Sequence, residues 1–138
     1  VDEAHHLRSD VLEDLRLLTN YAMDSDNRLC LVLVGHPELR RRLGMAVHEA
    51  LSQRVVVRAH VPGLARDELG PYLTHLLRLA GTELELFEPA TQEAIFQASN
   101  GLPRKVNLLA HHALMAAALT KSRTVTTEHI QSAMAEVT

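Results

Sequence analysis

The sequence predicts a mixed architecture: an α/β part holding a partial parallel sheet, then an all-α module of four helices. Three observations predict it. Leu29 to Val34 is an unbroken apolar run of strand length, apolar on both faces as a buried parallel strand requires. Val55-Val56-Val57 is a second, β-branched run, closed by Pro62-Gly63. Beyond Pro62 the strand signals stop, and apolar residues recur only at helical spacing. The boundary near residues 61–64 divides the chain into 1–62 and 63–138.

Each element has a local reason. Val1-Asp2-Glu3-Ala4-His5 reads as the acidic end of a buried strand. A helix is predicted over 9–23, capped by Ser9, with Val11, Leu15, Leu18 and Ala22 on one face. Asp24 to Asn27 make a polar turn, and the strand at 29–34 ends on Gly35. Pro37 suits the first turn of a short helix reaching Leu43, and another short helix spans 46–53. In the second part, Leu69, Leu73, Leu76, Leu77 and Ala80 stripe a helix over 65–80 that Gly81 ends. Pro71 falls inside it and is expected to end or kink its first turn, unless the helix starts there. A helix over 89–99 turns Ala90, Ala94, Ile95 and Ala98 inward. Pro103 opens the next, to about Thr120, with Val106, Leu109, Ala110, Ala113, Leu114 and Ala117 inside. Thr126 caps the last, where Ile130, Ala133, Met134 and Val137 face in.

Composition narrows the function. The 138 residues are 46% hydrophobic and carry a net charge of −3, which gives no global electrostatic case for nucleic acid. Aromatics are 3% with no Trp, against a base-stacking platform for single strands. No stretch approaches the ~20 apolar residues of a membrane span. Cys30 is the only cysteine, which excludes an internal disulfide, and its apolar surroundings predict a buried, inert thiol.

An Asp-Glu pair at the end of an apolar strand suits ATP hydrolysis. Asp2 would hold the water shell of Mg²⁺, and Glu3 would polarise the attacking water. Such a pair works with a phosphate-binding loop, and the pattern G-x-x-x-x-G-K-[ST] does not occur in these residues. The expectation is a fragment that holds half of an ATPase. A plainer reading makes both acids solvated residues at a helix start, favoured by its dipole.

Four phrases then carry a resemblance across the whole chain. They are Val-Asp-Glu-Ala-His-His-Leu at 1–7, Leu-Val-Leu-Val-Gly-His-Pro-Glu-Leu at 31–39, Leu-Ser-Gln-Arg-Val at 51–55, and Asn-Gly-Leu-Pro-Arg-Lys-Val-Asn at 100–107. In this order and spacing they resemble the second half of an AAA+ ATPase, from the Walker B strand through the helical lid. The phrasing is most similar to the ExeA-like family, whose relatives include secretion-associated ATPases and helper ATPases of DNA transposition. The resemblance implies an α/β P-loop fragment with a partial parallel sheet, followed by an all-α four-helix AAA+ lid. It implies ATP and Mg²⁺ as cofactors, with Asp2 the magnesium residue and Glu3 the catalytic one.

Further roles follow from the same resemblance. His36 stands at the sensor 1 position, where a histidine replaces the more usual amide or hydroxyl; a turn histidine with no catalytic duty is the alternative. Arg54 matches an arginine that reaches into a neighbouring subunit's site, where a permanently charged guanidinium stabilises phosphoryl charge. Arg58 is the other candidate, on the same side of the predicted strand. Either could instead be a surface arginine lying over apolar neighbours. Arg104 matches sensor 2; a cation in a helix's first turn opposes the dipole, which invites a phosphate-binding reason. Asn107 reads more plainly as a hydrogen bond between lid helices.

The implied activity of the full-length protein is ATP binding and hydrolysis coupled to oligomer assembly. The favoured use is DNA transposition, with DNA and a transposase as partners. The alternative is secretion of the general secretion pathway protein A type, with secretion-machinery partners. The implied location is cytoplasmic, or peripheral at the inner membrane for the secretion use. The 138 residues alone are expected to act as an inactive interaction module, lacking the triphosphate cradle. A DEAH-box helicase is a weaker reading, since Asp2 to His5 spell that motif but no Ser-Ala-Thr motif follows. His5-His6 and His111-His112 resemble metal ligands by count alone, without Cys partners or H-x-x-x-H spacing. His48-Glu49 lacks the second His of a zinc-protease site. Arg40-Arg41-Arg42 reads as a solvated face, or else as a contact to DNA phosphate or a subunit.

Overall fold

The computed structural model describes residues 1–19 and 29–137. They belong to two compact units, Val1–His60 and Val61–Thr138.

The first unit contains α1 (Ser9–Leu18), α2 (Pro37–Leu43) and α3 (Glu49–Gln53). Short 3-10 turns at Ala4–His6 and Ala46–His48 accompany them. The partial parallel sheet of an α/β P-loop fragment is not there: among the described residues no strand forms in either unit. The physical reason is pairing. A strand satisfies its backbone only through neighbours, and among the described residues the backbone bonds of Val32 and Val34 go to Val1 and Ala4. The Val1 ammonium donates to the Val32 carbonyl at 2.7 Å, Val34 N–H to the Val1 carbonyl at 2.9 Å, and Ala4 N–H to the Val34 carbonyl at 2.8 Å. That pairing is too short for a ladder, and the side chains of Val32 and Val34 stay exposed. Residues 55–57 also lack strand structure, and Val56 is 95% exposed. Their β-branched side chains prefer a half-covered pleated surface, and among the described residues no strand offers one.

Other expectations for this unit are corrected as well. Cys30 is exposed rather than buried, because no sheet covers it. Ser9 is the first residue of α1 rather than its cap; Arg8 holds the cap position, without a side-chain cap bond. The Ser9 hydroxyl instead lies 3.2 Å from Nε2 of buried His48. Leu12 is the fully buried residue of α1, while Leu18 is exposed. Ala22 and the polar turn at 24–27 lie outside the described residues.

The second unit contains α4 (Arg66–Leu79), α5 (Pro89–Ser99), α6 (Pro103–Leu119) and α7 (Thr127–Val137). Helix α6 packs against both α5 and α7, and α4 against α5. Leu69, Leu73, Ile95, Val106, Leu109 and Ile130 are central to the core. Pro71 sits inside α4, and the helix runs on past it. The Glu68 carboxylate accepts the Ala65 N–H at 2.8 Å, which satisfies one orphan donor at the start of α4. At its end, Gly81 N–H donates to the Arg78 carbonyl and Thr82 N–H to the Leu77 carbonyl, both at 3.0 Å. This is the paired closure of a Schellman motif, with Gly81 at φ 90°. Buried His129 joins the end of α6 to the start of α7. Its Nδ1 accepts the Thr126 N–H at 3.0 Å, and its Nε2 lies 2.9 Å from the Thr120 hydroxyl.

Candidate functional site

Asp2, Glu3 and His36 lie at or beside the Ala4–His6 turn. The turn is held from outside by Arg42 on α2. One guanidinium nitrogen of Arg42 donates to the His5 carbonyl at 2.6 Å and the other to the Leu7 carbonyl at 2.7 Å. The fork of a guanidinium suits two adjacent acceptors. Arg42 is therefore not a member of a solvated basic face: it fastens the turn that follows the acid pair. Arg41 does behave as a surface residue, pairing with Glu38 one turn away on α2.

Asp2 is exposed, and its Oδ1 accepts the N–H of Glu3 at 2.8 Å. Glu3 caps the 3-10 turn in the left-handed region, with φ 52° and ψ 32°. Only a few per cent of non-glycine residues adopt a positive φ, and they persist where the surroundings hold them. The Glu3 carboxylate lies open to solvent, with Oε2 3.5 Å from His5 Nε2 and 3.9 Å from His6 Nε2. The rings of His5 and His6 are 4.1 Å apart between centroids.

His36 occupies the cap position of α2. Its backbone N–H donates to His5 Nδ1 at 3.2 Å, and its ring meets the His5 ring edge-on at 4.4 Å. The structure thus brings Glu3 and His36 to His5, while Asp2 bonds to the Glu3 amide.

Arg54 is half-buried at the C-terminal cap of α3. Arg58 is exposed and donates to the Ser52 carbonyl at 2.8 Å and the Ser52 hydroxyl at 2.9 Å. No strand joins the two arginines, so the alternation that set them on one side is absent. Arg104 lies in the first turn of α6, in the second unit, with its side chain exposed. Asn107, one turn on, accepts the Tyr72 hydroxyl at 2.9 Å and so links α6 to α4.

Two kinds of cation can be weighed against these groups. One ligand atom from each of Glu3, His5 and His6 falls within a 4.8 Å cluster. A transition metal would need the lone pair of a bare ring nitrogen. His5 Nδ1 already accepts a hydrogen bond, so the neutral ring carries its proton on Nε2, the atom facing Glu3. That protonation opposes a metal there. A hydrated Mg²⁺ asks only for exposed carboxylate oxygens, which Asp2 and Glu3 offer.

Residues 1–43 match the AAA domain family. Over 117 residues the chain is 39% identical to the general secretion pathway protein A of Aeromonas hydrophila. That alignment covers 85% of this chain and 21% of the relative, so the chain spans about one fifth of the relative's length. No solved structure matches the chain. Together the two matches make residues 1–43 similar to an AAA domain and most of the chain similar to one part of a general secretion pathway protein. Neither match names transposition, DNA or a transposase. Among the described residues no helix is long and apolar enough to cross a membrane.

Proposed function

We propose that residues 1–60 contribute the magnesium- and water-handling side of an ATP-hydrolysing site, in a protein of the secretion-associated type. The observation that carries this reading is the adjacent Asp2 and Glu3 pair, which opens the segment matching the AAA domain and exposes both side chains. Asp2 would hold Mg²⁺, and Glu3 orients the attacking water and accepts its proton. When bound, Mg²⁺ offsets the charge that develops on the transferring phosphoryl group. Arg54 serves a neighbouring subunit's site as a fixed cation, and Arg104 binds a phosphate from the helical unit. Self-association completes the site. The location is the cytoplasmic side, peripheral at the inner membrane. The secretion use replaces the transposition use favoured by the sequence, because the similar protein is a general secretion pathway protein.

The test compares two polypeptides. These 138 residues carry no phosphate-binding loop, so they show no ATP turnover above background. In a protein that joins them to such a loop, Glu3→Gln lowers turnover by about a hundredfold or more while ATP still binds. Arg54→Ala lowers turnover without abolishing nucleotide binding, and mixing the two variants restores part of it. Full turnover by Glu3→Gln would end the assignment of the acid pair.

A further inference from the structure

We propose that His5 is the positioning residue for Glu3, and that the backbone at His36 selects the tautomer of His5 that does so. The inference rests on the assignment of Glu3 above. The His5 side chain is 11% exposed, whereas the Glu3 side chain it faces is 64% exposed. A buried ring against an open carboxylate is a support beside a working group.

One hydrogen bond holds the ring, and the backbone around it is fixed. The His36 N–H donates to Nδ1 at 3.2 Å, so the neutral ring keeps its proton on Nε2. The backbone at Gly35 leaves room for it: a Cβ there would stand 3.0 Å from His5 Nδ1 and 3.1 Å from the His5 backbone nitrogen. Arg42 clamps the carbonyls on either side of His6, those of His5 and Leu7. Nε2 then lies on the Glu3 side of the ring, 3.5 Å from Glu3 Oε2, which is beyond a formed hydrogen bond. Catalytic hydrogen bonds are often long before substrate binds, and a small rotation of Glu3 closes this one. The left-handed backbone at Glu3 brings its carboxylate back over the turn toward Nε2.

This arrangement gives the His36 position a role different from the side-chain contact expected of it. Its backbone amide acts, through His5, on the orientation of Glu3. A shift of the Gly35-His36 backbone breaks the Nδ1 bond, frees the ring and releases the carboxylate. The resulting sequence of contacts is His36 N–H, His5 ring, Glu3 carboxylate, and no proton changes owner along it.

The first experiment needs no turnover. Long-range ¹H–¹⁵N NMR on the 138-residue chain, at a pH about two units above the ordinary histidine pKa, reads each ring's tautomer. His5 is expected to carry its proton on Nε2 alone, and Glu3→Gln is expected to move the Nε2 resonance while Nδ1 stays bare. A proton on His5 Nδ1, or an Nε2 resonance unmoved by Glu3→Gln, overturns the proposal. Gly35→Ala should shift the ring toward mixed tautomers; should that variant fail to fold, the unsubstituted chain still decides.

The second experiment uses the ATP-hydrolysing protein. His5→Ala is expected to lower kcat about tenfold with KM for ATP unchanged, the scale on which orienting partners act. His5→Gln keeps an N–H donor of similar reach and should restore most of kcat. Full kcat in His5→Ala, with Glu3→Gln inactive, overturns this inference and leaves the acid pair standing. Full turnover in Glu3→Gln overturns both.

Discussion

The Tyr72 hydroxyl donates to Asn107 Oδ1 at 2.9 Å, a contact between α4 and α6 across 35 residues of chain. Asn107 lies one turn from Arg104 on α6. Its side chain is engaged in holding two helices of the second unit together. Removing either partner from this exposed bond should cost about 1 kcal/mol or less. Tyr72→Phe and Asn107→Ala should each lower the denaturant midpoint slightly, and the double variant should fall no further than one single. Additive losses in that cycle would mean that the bond does not persist in solution.

Gly101 and Gly81 both have positive φ, 71° and 90°, but their surroundings differ. A Cβ on Gly101 would sit 2.1 Å from the Leu64 carbonyl oxygen, whereas one on Gly81 meets nothing within 4 Å. The Gly101 carbonyl also accepts the Leu64 N–H at 2.8 Å. Gly81→Ala should therefore cost about 1 kcal/mol, the backbone strain alone. Gly101→Ala should cost more than about 3 kcal/mol, since backbone must also move. Thermal and denaturant unfolding of the two variants checks the order, and equal losses would contradict it.

Arg42 spans the carbonyls of His5 and Leu7. Arg42→Ala should destabilise the first unit by about 2 kcal/mol, the scale of lost hydrogen bonds to a charged donor. Arg42→Lys should recover only part, because an ammonium lacks the planar fork. Hydrogen exchange reads this locally. The His6 and Leu7 amides, which donate to the Glu3 and Ala4 carbonyls at 2.9 and 3.2 Å, should exchange faster in both variants. Unchanged protection would remove Arg42 from its structural role.

Cys30 is exposed, in contrast to the buried thiol its apolar neighbours suggest. Native alkylation with iodoacetamide should proceed within about tenfold of the rate for an unstructured cysteine peptide. Protection well beyond that would show the 29–34 segment to be covered in solution.

The helices of the second unit were legible because a helix satisfies its own backbone within one segment. Apolar spacing, Pro89 and Pro103 at first turns and Gly81 past an end are all local signals, and they act locally. Only the tertiary structure decided what became of Leu29 to Val34 and Val55 to Val57. A β-branched run becomes a strand only when another chain segment takes its hydrogen bonds, and among the described residues that partner is limited to 1–4. It alone decided the setting of Glu3, too. The His36 amide and the Arg42 guanidinium reach the Ala4–His6 turn from 31 and 37 residues away, so no local spacing announces them.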